Sequence, residues 1–232
     1  NLKKHATGEP LKDHFSKGFE YSDCWVDDAR LVLHAAIDAA EKGATILTRT
    51  EVIDASRKNG LWTINTMASD GTEASFQARA LVNAAGPWVD HLEGVSHPSP
   101  DSKKQIRMVK GSHIVVPKLF EGSQAYTFQN DDNRVIFAIP YERNYTLIGT
   151  TDVPFSDDAN TVTINEDESA YLCGVISRYF KKQISTNDIV WTYSGVRPLV
   201  DDGAANASKA SRDYVLEFDT KEAAPILSVY GG

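Results

Sequence analysis

A mixed architecture, part α/β and part α+β, is what this 232-residue sequence predicts. Three observations carry the prediction: an amphipathic helix that runs straight into a short apolar segment, later runs of period-two alternation separated by hairpin turn pairs, and a stretch rich in Gly, Pro, Ser and charge that splits the chain into two lobes. With 41% hydrophobic and 24% charged residues, the composition is that of a folded chain able to bury a core.

In the first lobe, residues 1–95, Asp27 and Asp28 precede Ala29, Val32, Leu33, Ala36, Ile37 and Ala40 at helical spacing, and Gly43 follows as a stop. That is a helix of about four turns. Ala44 to Thr48 then reads as a buried parallel strand, so the two together form half of a βαβ unit whose first strand is expected upstream. From Glu51 to Gln77 the period falls to two, with turn signals at Asn59-Gly60 and Asp70-Gly71, which predicts an antiparallel excursion. The run from Ala80 to Trp88 ends in small residues and a Gly-Pro turn, the kind of strand end that lets a ligand approach the backbone.

Residues 94–105 mark the passage into a second lobe, 96–232. Strands are expected at Met108–Pro117, Gln124–Gln129, Arg134–Tyr141 and Tyr145–Thr151, forming an antiparallel meander. Asn165 followed by Glu166, Asp167 and Glu168 starts a helix whose buried stripe is Leu172, Val175, Ile176, Tyr179 and Phe180, with Lys181 and Lys182 at its C-terminal end. Further strands are expected at Asp188–Val196, Asp213–Phe218 and Pro225–Val229.

The net charge of -8 and the lack of any Lys/Arg run disfavour nucleic acid as a partner and make single arginines more informative than the total. Cys24 and Cys173 stand far apart, which excludes a disulfide framework and a zinc site and predicts two small buried hydrophobes in a reducing compartment. No run approaches the roughly 18 apolar residues of a membrane span, and the first residues show no secretory pattern.

His113, in the run Lys110-Gly111-Ser112-His113-Ile114-Val115-Val116-Pro117, alternates against Ile114 and Val116 and so points away from the core. Proton transfer beside a reacting hydroxyl is one reading, and an ordinary hydrogen-bonded histidine is the other. Arg197 lies before Pro198 in a polar cluster after an apolar strand, placed to clamp an anion or to form a plain surface salt bridge. Arg212 joins the same site if its strand neighbours that of Arg197, unless Asp213 merely neutralises it. Asp27, Asp28, Asp152, Asp157, Asp158, Asp201 and Asp202 match no calcium-loop spacing and read as caps and turns, so no metal is expected. Neither GxGxxG nor GxxxxGK[ST] occurs, so no dinucleotide site follows from pattern.

Seven segments in their order, YSDCWVDDARLVL, LVNAAGPWV, KGSHIVVP, IGTTDV, DIVWTYSGVRPL, SRDYVLEF and LSVYGG, resemble the bacterial aerobic glycerol-3-phosphate dehydrogenases over nearly the whole chain. The resemblance implies an FAD-binding βαβ domain of the D-amino-acid-oxidase type, incomplete here, plus an antiparallel-sheet substrate domain, with the last strand, about 225–232, returning to the FAD domain. It implies that the Gly-rich fingerprint lies upstream and a Lys-containing motif beyond Gly232, so that this chain is a central fragment, inactive alone and not expected to retain FAD. His113, Arg197 and Arg212 match positions lining the glycerol-3-phosphate pocket, with His113 and Arg197 as the catalytic candidates. Val52 resembles the adenine contact, Ala84, Ala85, Gly86 and Trp88 the segment near pyrophosphate and ribityl chain, and Gly231 and Gly232 the flavin-proximal turn.

The implied reaction is oxidation of sn-glycerol 3-phosphate to dihydroxyacetone phosphate by hydride transfer to FAD. Electrons would pass to quinone from a cytoplasmic enzyme held peripherally on the inner face of the membrane, with a homodimer left open. Alternatives of other kinds are a non-catalytic binding module, or an oxygen-using glycerol-phosphate oxidase or amine oxidase of the same fold.

Overall fold

The computed structural model describes residues 1–96, 106–200, 212–220 and 224–231. Asp201, Asp202, Gly232 and most of the expected passage between lobes lie outside the described residues.

Helix α1 (Asp28–Glu41) forms where its pattern places it, because the Asp27 carboxylate accepts the Arg30 N–H at 3.0 Å and Gly43, at φ 94°, closes the far end. Its apolar face is nevertheless open, with no residue of the helix buried. The strand expected at Ala44 to Thr48 does not form. A strand needs a neighbour to take its N–H and C=O groups, and among the described strands none lies beside residues 44–47. The expectation of a buried Cys24 also fails: it sits in an unpaired stretch among exposed Phe19, Tyr21 and Trp25, whereas Cys173 is buried.

Strands β1 (Thr50–Lys58), β2 (Leu61–Ala68) and β3 (Glu73–Ala78) make an antiparallel sheet. The first hairpin turns through Asn59 and Gly60, both at positive φ (54° and 76°), the geometry whose twist matches the strands it joins. β4 (Leu81–Asn83) follows, then a 3-10 turn over Gly86–Trp88 and a short helix α2 (Val89–Ser96), which the sequence reading lacked because Gly94 and Ser96 read as loop. Val89 is fully buried, and its carbonyl accepts from the buried Asn83 side chain at 2.9 Å.

The second lobe is a six-stranded sheet built from β5 (Ile106–Pro117), β6 (Tyr126–Gln129), β7 (Val135–Tyr141), β8 (Tyr145–Gly149), β9 (Val153–Pro154) and β10 (Trp191–Val200). Its order is β10-β5-β8-β7-β6, all antiparallel, with β9 also against β5. Alternation sends Ile114, Val116, Ile136, Ala138 and Ile148 to one face, where α3 (Glu166–Tyr179) and the residue that ends it lay down Leu172, Cys173, Val175, Ile176 and Phe180. Each large side chain buried there contributes about 1.5–3 kcal/mol. α3 starts with a full capping box between Asn165 and Glu168.

β10 departs from the expected span. Asp188 closes a 3-10 turn by accepting from Ser185, and the strand runs on to Val200, so Arg197 lies within it rather than after it. Pro198 is tolerated because β10 is the sheet's edge.

β11 (Tyr214–Asp219) pairs antiparallel with β12 (Ile226–Gly231), and β12 pairs in parallel with β4. The first sheet is pinned to this one from the side. Trp62 donates to the Pro225 carbonyl at 3.0 Å, Arg57 to the Ala224 carbonyl at 3.1 Å and to Asp219 at 2.8 Å, and Ala55, Trp62, Ile64, Ala224 and Ile226 form a second core. No helix among the described residues is long and apolar enough to cross a membrane.

Candidate active site

The face of the large sheet turned away from α3 is where the sequence-predicted residues meet. In the β5–β10 register His113 stands opposite Tyr193, Gly111 opposite Gly195 and Val109 opposite Arg197, so these side chains share one face. Tyr193 stacks on the imidazole, with ring centroids 4.7 Å apart and planes 9° from parallel. Two glycines make the room. A Cβ at Gly149 would lie 2.1 Å from His113 Cδ2, and one at Gly111 2.4 Å from Arg197 Nη2. Both functional side chains therefore lie flat across backbone that carries no side chain of its own.

Arg197 is held by the segment after β8: Nη1 donates to Asp152 Oδ1 at 3.0 Å, and Nη2 to Thr150 Oγ1 at 3.1 Å. Arg212, more exposed, brings Nη2 within 3.9 Å of the same Asp152 oxygen. Arg212 lies just before β11 rather than in a strand, and β11 pairs with β12 and not with β10, yet the two guanidinium groups converge on one carboxylate. Two guanidinium groups sharing one carboxylate keep N–H donors to spare, which suits an anionic ligand.

Burial, and then the charge of Arg197, push the His113 imidazole down to about 4, against an opposing pull from Asp28 at the start of α1. His113 is therefore neutral near pH 7 and able to accept a proton. Its buried Nδ1 has no hydrogen-bond partner among the described residues. Burial and the nearby acids Asp28 and Asp27 raise the Tyr193 phenol, which stays protonated. Burial also lowers Arg197, with Arg212 adding to the effect and Asp152 opposing it.

The residues expected near a flavin lie on the adjoining elements. The Gly86–Trp88 turn and β12 both touch β10. Gly231, at φ 73°, is so close to the end of β10 that a Cβ there would meet Val200 Cγ2 at 3.1 Å. Ala84 is exposed, Ala85 half-buried, Trp88 exposed, and a Cβ on Gly86 would meet open space, so this edge fits a flat ligand laid against small residues. Val52 lies apart on the first sheet, exposed at the β1 bulge, and Gly232 lies outside the described residues.

Sequence reasoning missed Asp152, set aside as a turn carboxylate, and Tyr193, whose role depends on the β5–β10 register. The glycine in Lys110-Gly111-Ser112-His113 was the available signal. Among the described residues no group of three or more His, Cys, Asp or Glu could hold a metal ion.

The FAD dependent oxidoreductase profile matches residues 2–220. The chain is 51% identical to the D-erythritol 1-phosphate dehydrogenase of Brucella abortus, covering all of this chain and 46% of that protein. It is 50% identical to the aerobic glycerol-3-phosphate dehydrogenase of Escherichia coli, covering 96% of this chain and 44% of the relative. The crystal structure of the Bacillus halodurans glycerol-3-phosphate dehydrogenase complexed with FAD superposes with a TM-score of 0.72 at 28% identity, over 89% of this chain and 39% of that one. The chain thus spans under half the length of these relatives.

Proposed function

The chain belongs to the FAD dependent oxidoreductase family, and from that premise we propose that it supplies the substrate-gripping sheet of an enzyme oxidising sn-glycerol 3-phosphate to dihydroxyacetone phosphate. The observation that carries the proposal is the convergence of Arg197 and Arg212 on Asp152, on the face that also carries neutral His113. The guanidinium groups bind the phosphate. His113 lies beside them to accept the proton of the carbinol hydroxyl. Stacking on Tyr193 fixes the plane in which the imidazole works.

Ala84, Ala85, Gly86, Trp88 and Gly231 would hold part of FAD, with Val52 toward its adenine. Bound there, FAD supplies the hydride acceptor. Quinone as the onward acceptor and a peripheral seat on the inner membrane face belong to the same proposal, as does the division into an FAD lobe and a substrate lobe near residue 95.

A second substrate is favoured by one specific observation, the 51% identity to a protein named for D-erythritol 1-phosphate. Both compounds pair a phosphate with a neighbouring polyol, so the clamp serves either. The test is steady-state kinetics of the full-length FAD-loaded enzyme on each. Arg197→Leu is expected to lower kcat/KM by about three orders of magnitude on the true substrate, and near-normal kcat/KM would overturn the reading.

A further inference from the structure

Directly beneath Arg197 and His113, on the α3 side of the sheet, lies a buried carboxylate with four partners. Glu168 Oε1 accepts from the Thr151 hydroxyl at 2.7 Å and the Ser112 hydroxyl at 2.9 Å. Its Oε2 takes the Asn165 N–H at 3.0 Å and lies 2.7 Å from Lys110 Nζ. Ser112 spends its only hydroxyl proton on Glu168, so the 2.9 Å contact between Ser112 and Ser194 has Ser194 as donor. Thr151 Oγ1, having donated to Glu168, accepts the Ser112 N–H at 2.9 Å. One carboxylate thereby links α3, β5, β10 and the segment after β8.

That segment is the one that grips the arginine. Thr150 and Asp152, which hold Arg197 from the ligand side, flank Thr151, whose side chain is fully buried on the other side. Ser112 and Lys110, the other ties, flank Gly111, the residue over which the guanidinium lies. Every backbone element that fixes the Arg197 head group is thus anchored within one or two bonds of Glu168. Burial works against the charged form of Glu168, yet the hydrogen bonds from Lys110, Thr151, Asn165 and Ser112 prevail and hold its carboxyl below the usual range.

We propose that Glu168 is a positioning residue for the phosphate clamp, acting through Thr151 to set the distance at which Thr150 and Asp152 present the Arg197 guanidinium to an anion. This rests on the reading of Arg197 as that clamp. Glu168 touches no ligand. Its effect is confined to how well the bound anion is met.

The experiment measures KM and kcat of the full-length FAD-loaded enzyme with sn-glycerol 3-phosphate for Thr151→Val, Thr151→Ser, Glu168→Asp and Arg197→Leu in one series. Thr151→Val keeps the shape and removes the hydroxyl, and it is expected to raise KM about tenfold with kcat within about twofold, while Thr151→Ser restores KM. Glu168→Asp keeps the charge opposite Lys110 but shortens the reach, with the same expected rise in KM, and carries the test if Thr151→Val does not fold. An unchanged KM in the folded variants, or a fall in kcat alone, overturns the inference while a collapsed Arg197→Leu leaves the clamp standing. If Arg197→Leu is as active as the parent, the clamp reading itself has failed.

Discussion

Helices α1 and α3 are each 14 residues long, each begins behind an Asp or Asn cap, and each carries apolar residues at helical spacing. α3 buries Leu172, Cys173, Val175, Ile176 and even Glu168, while α1 buries nothing. The difference teaches that periodicity and capping specify a helix, whereas its packing depends on the surface offered to it. α3 lies on the aliphatic face of a six-stranded sheet. α1 presents Leu31, Val32, Leu33 and Ile37 to solvent. Their first-turn acids differ in the same way: Glu168 is enclosed by hydrogen-bond donors, and Asp28 is exposed and reaches His113 only through its field.

The largest test of this contrast is a pair of truncations. Ile176→Ala on α3 should cost about 2–5 kcal/mol in chemical denaturation, because it opens a cavity in a close-packed core. In this 232-residue chain Val32→Ala on α1 should stay within about 0.5 kcal/mol, since that side chain is 69% exposed. Equal losses would break the comparison.

A smaller effect sharpens the electrostatic half. The folded chain refuses a proton at His113 that the unfolded chain accepts, between the ordinary 6.5 and about 4. This contribution to stability is therefore full above pH 6.5 and declines as pH falls through that window, by up to about 3 kcal/mol. Urea midpoints at pH 7 and pH 4.5 should show His113→Gln flattening the decline and Asp28→Asn deepening it slightly; a His113→Gln slope identical to the parent's would count against the burial argument.

The smallest effect concerns the caps. Asn165→Ala should lower global stability by about 1 kcal/mol. Asp27→Ala should fray only the first turn of α1, because a helix that buries nothing unfolds without disturbing the rest. Hydrogen exchange at residues 28–31 and 166–169 distinguishes local from global opening.

What could be read in advance follows the range of the interaction responsible. The capping box of α3, the Asn59-Gly60 hairpin and the outward alternation of His113 are local, and each is present. The strand at Ala44 to Thr48 was misread because an apolar run specifies nothing without a neighbour to pair with. Arg197 was found by its residue type, but its strand was ended too early at Val196, since nothing local says that β10 is an edge that can accept Pro198. Asp152, Tyr193 and the Glu168 network escaped because their roles arise from contacts such as Thr151 to Glu168 and Ser112 to Ser194, which span 17 and 82 positions of sequence.

The fastening of Trp62 to the Pro225 carbonyl joins residues 163 positions apart, and among the described strands β4 likewise finds its parallel partner in β12. Chain closure over such distances is slow, whereas β6, β7 and β8 pair through short hairpins. During synthesis the meander can assemble while the ribosome is still elongating, and the hairpin sheet must wait, its apolar side open to chaperones, until Ala224, Pro225 and Ile226 emerge.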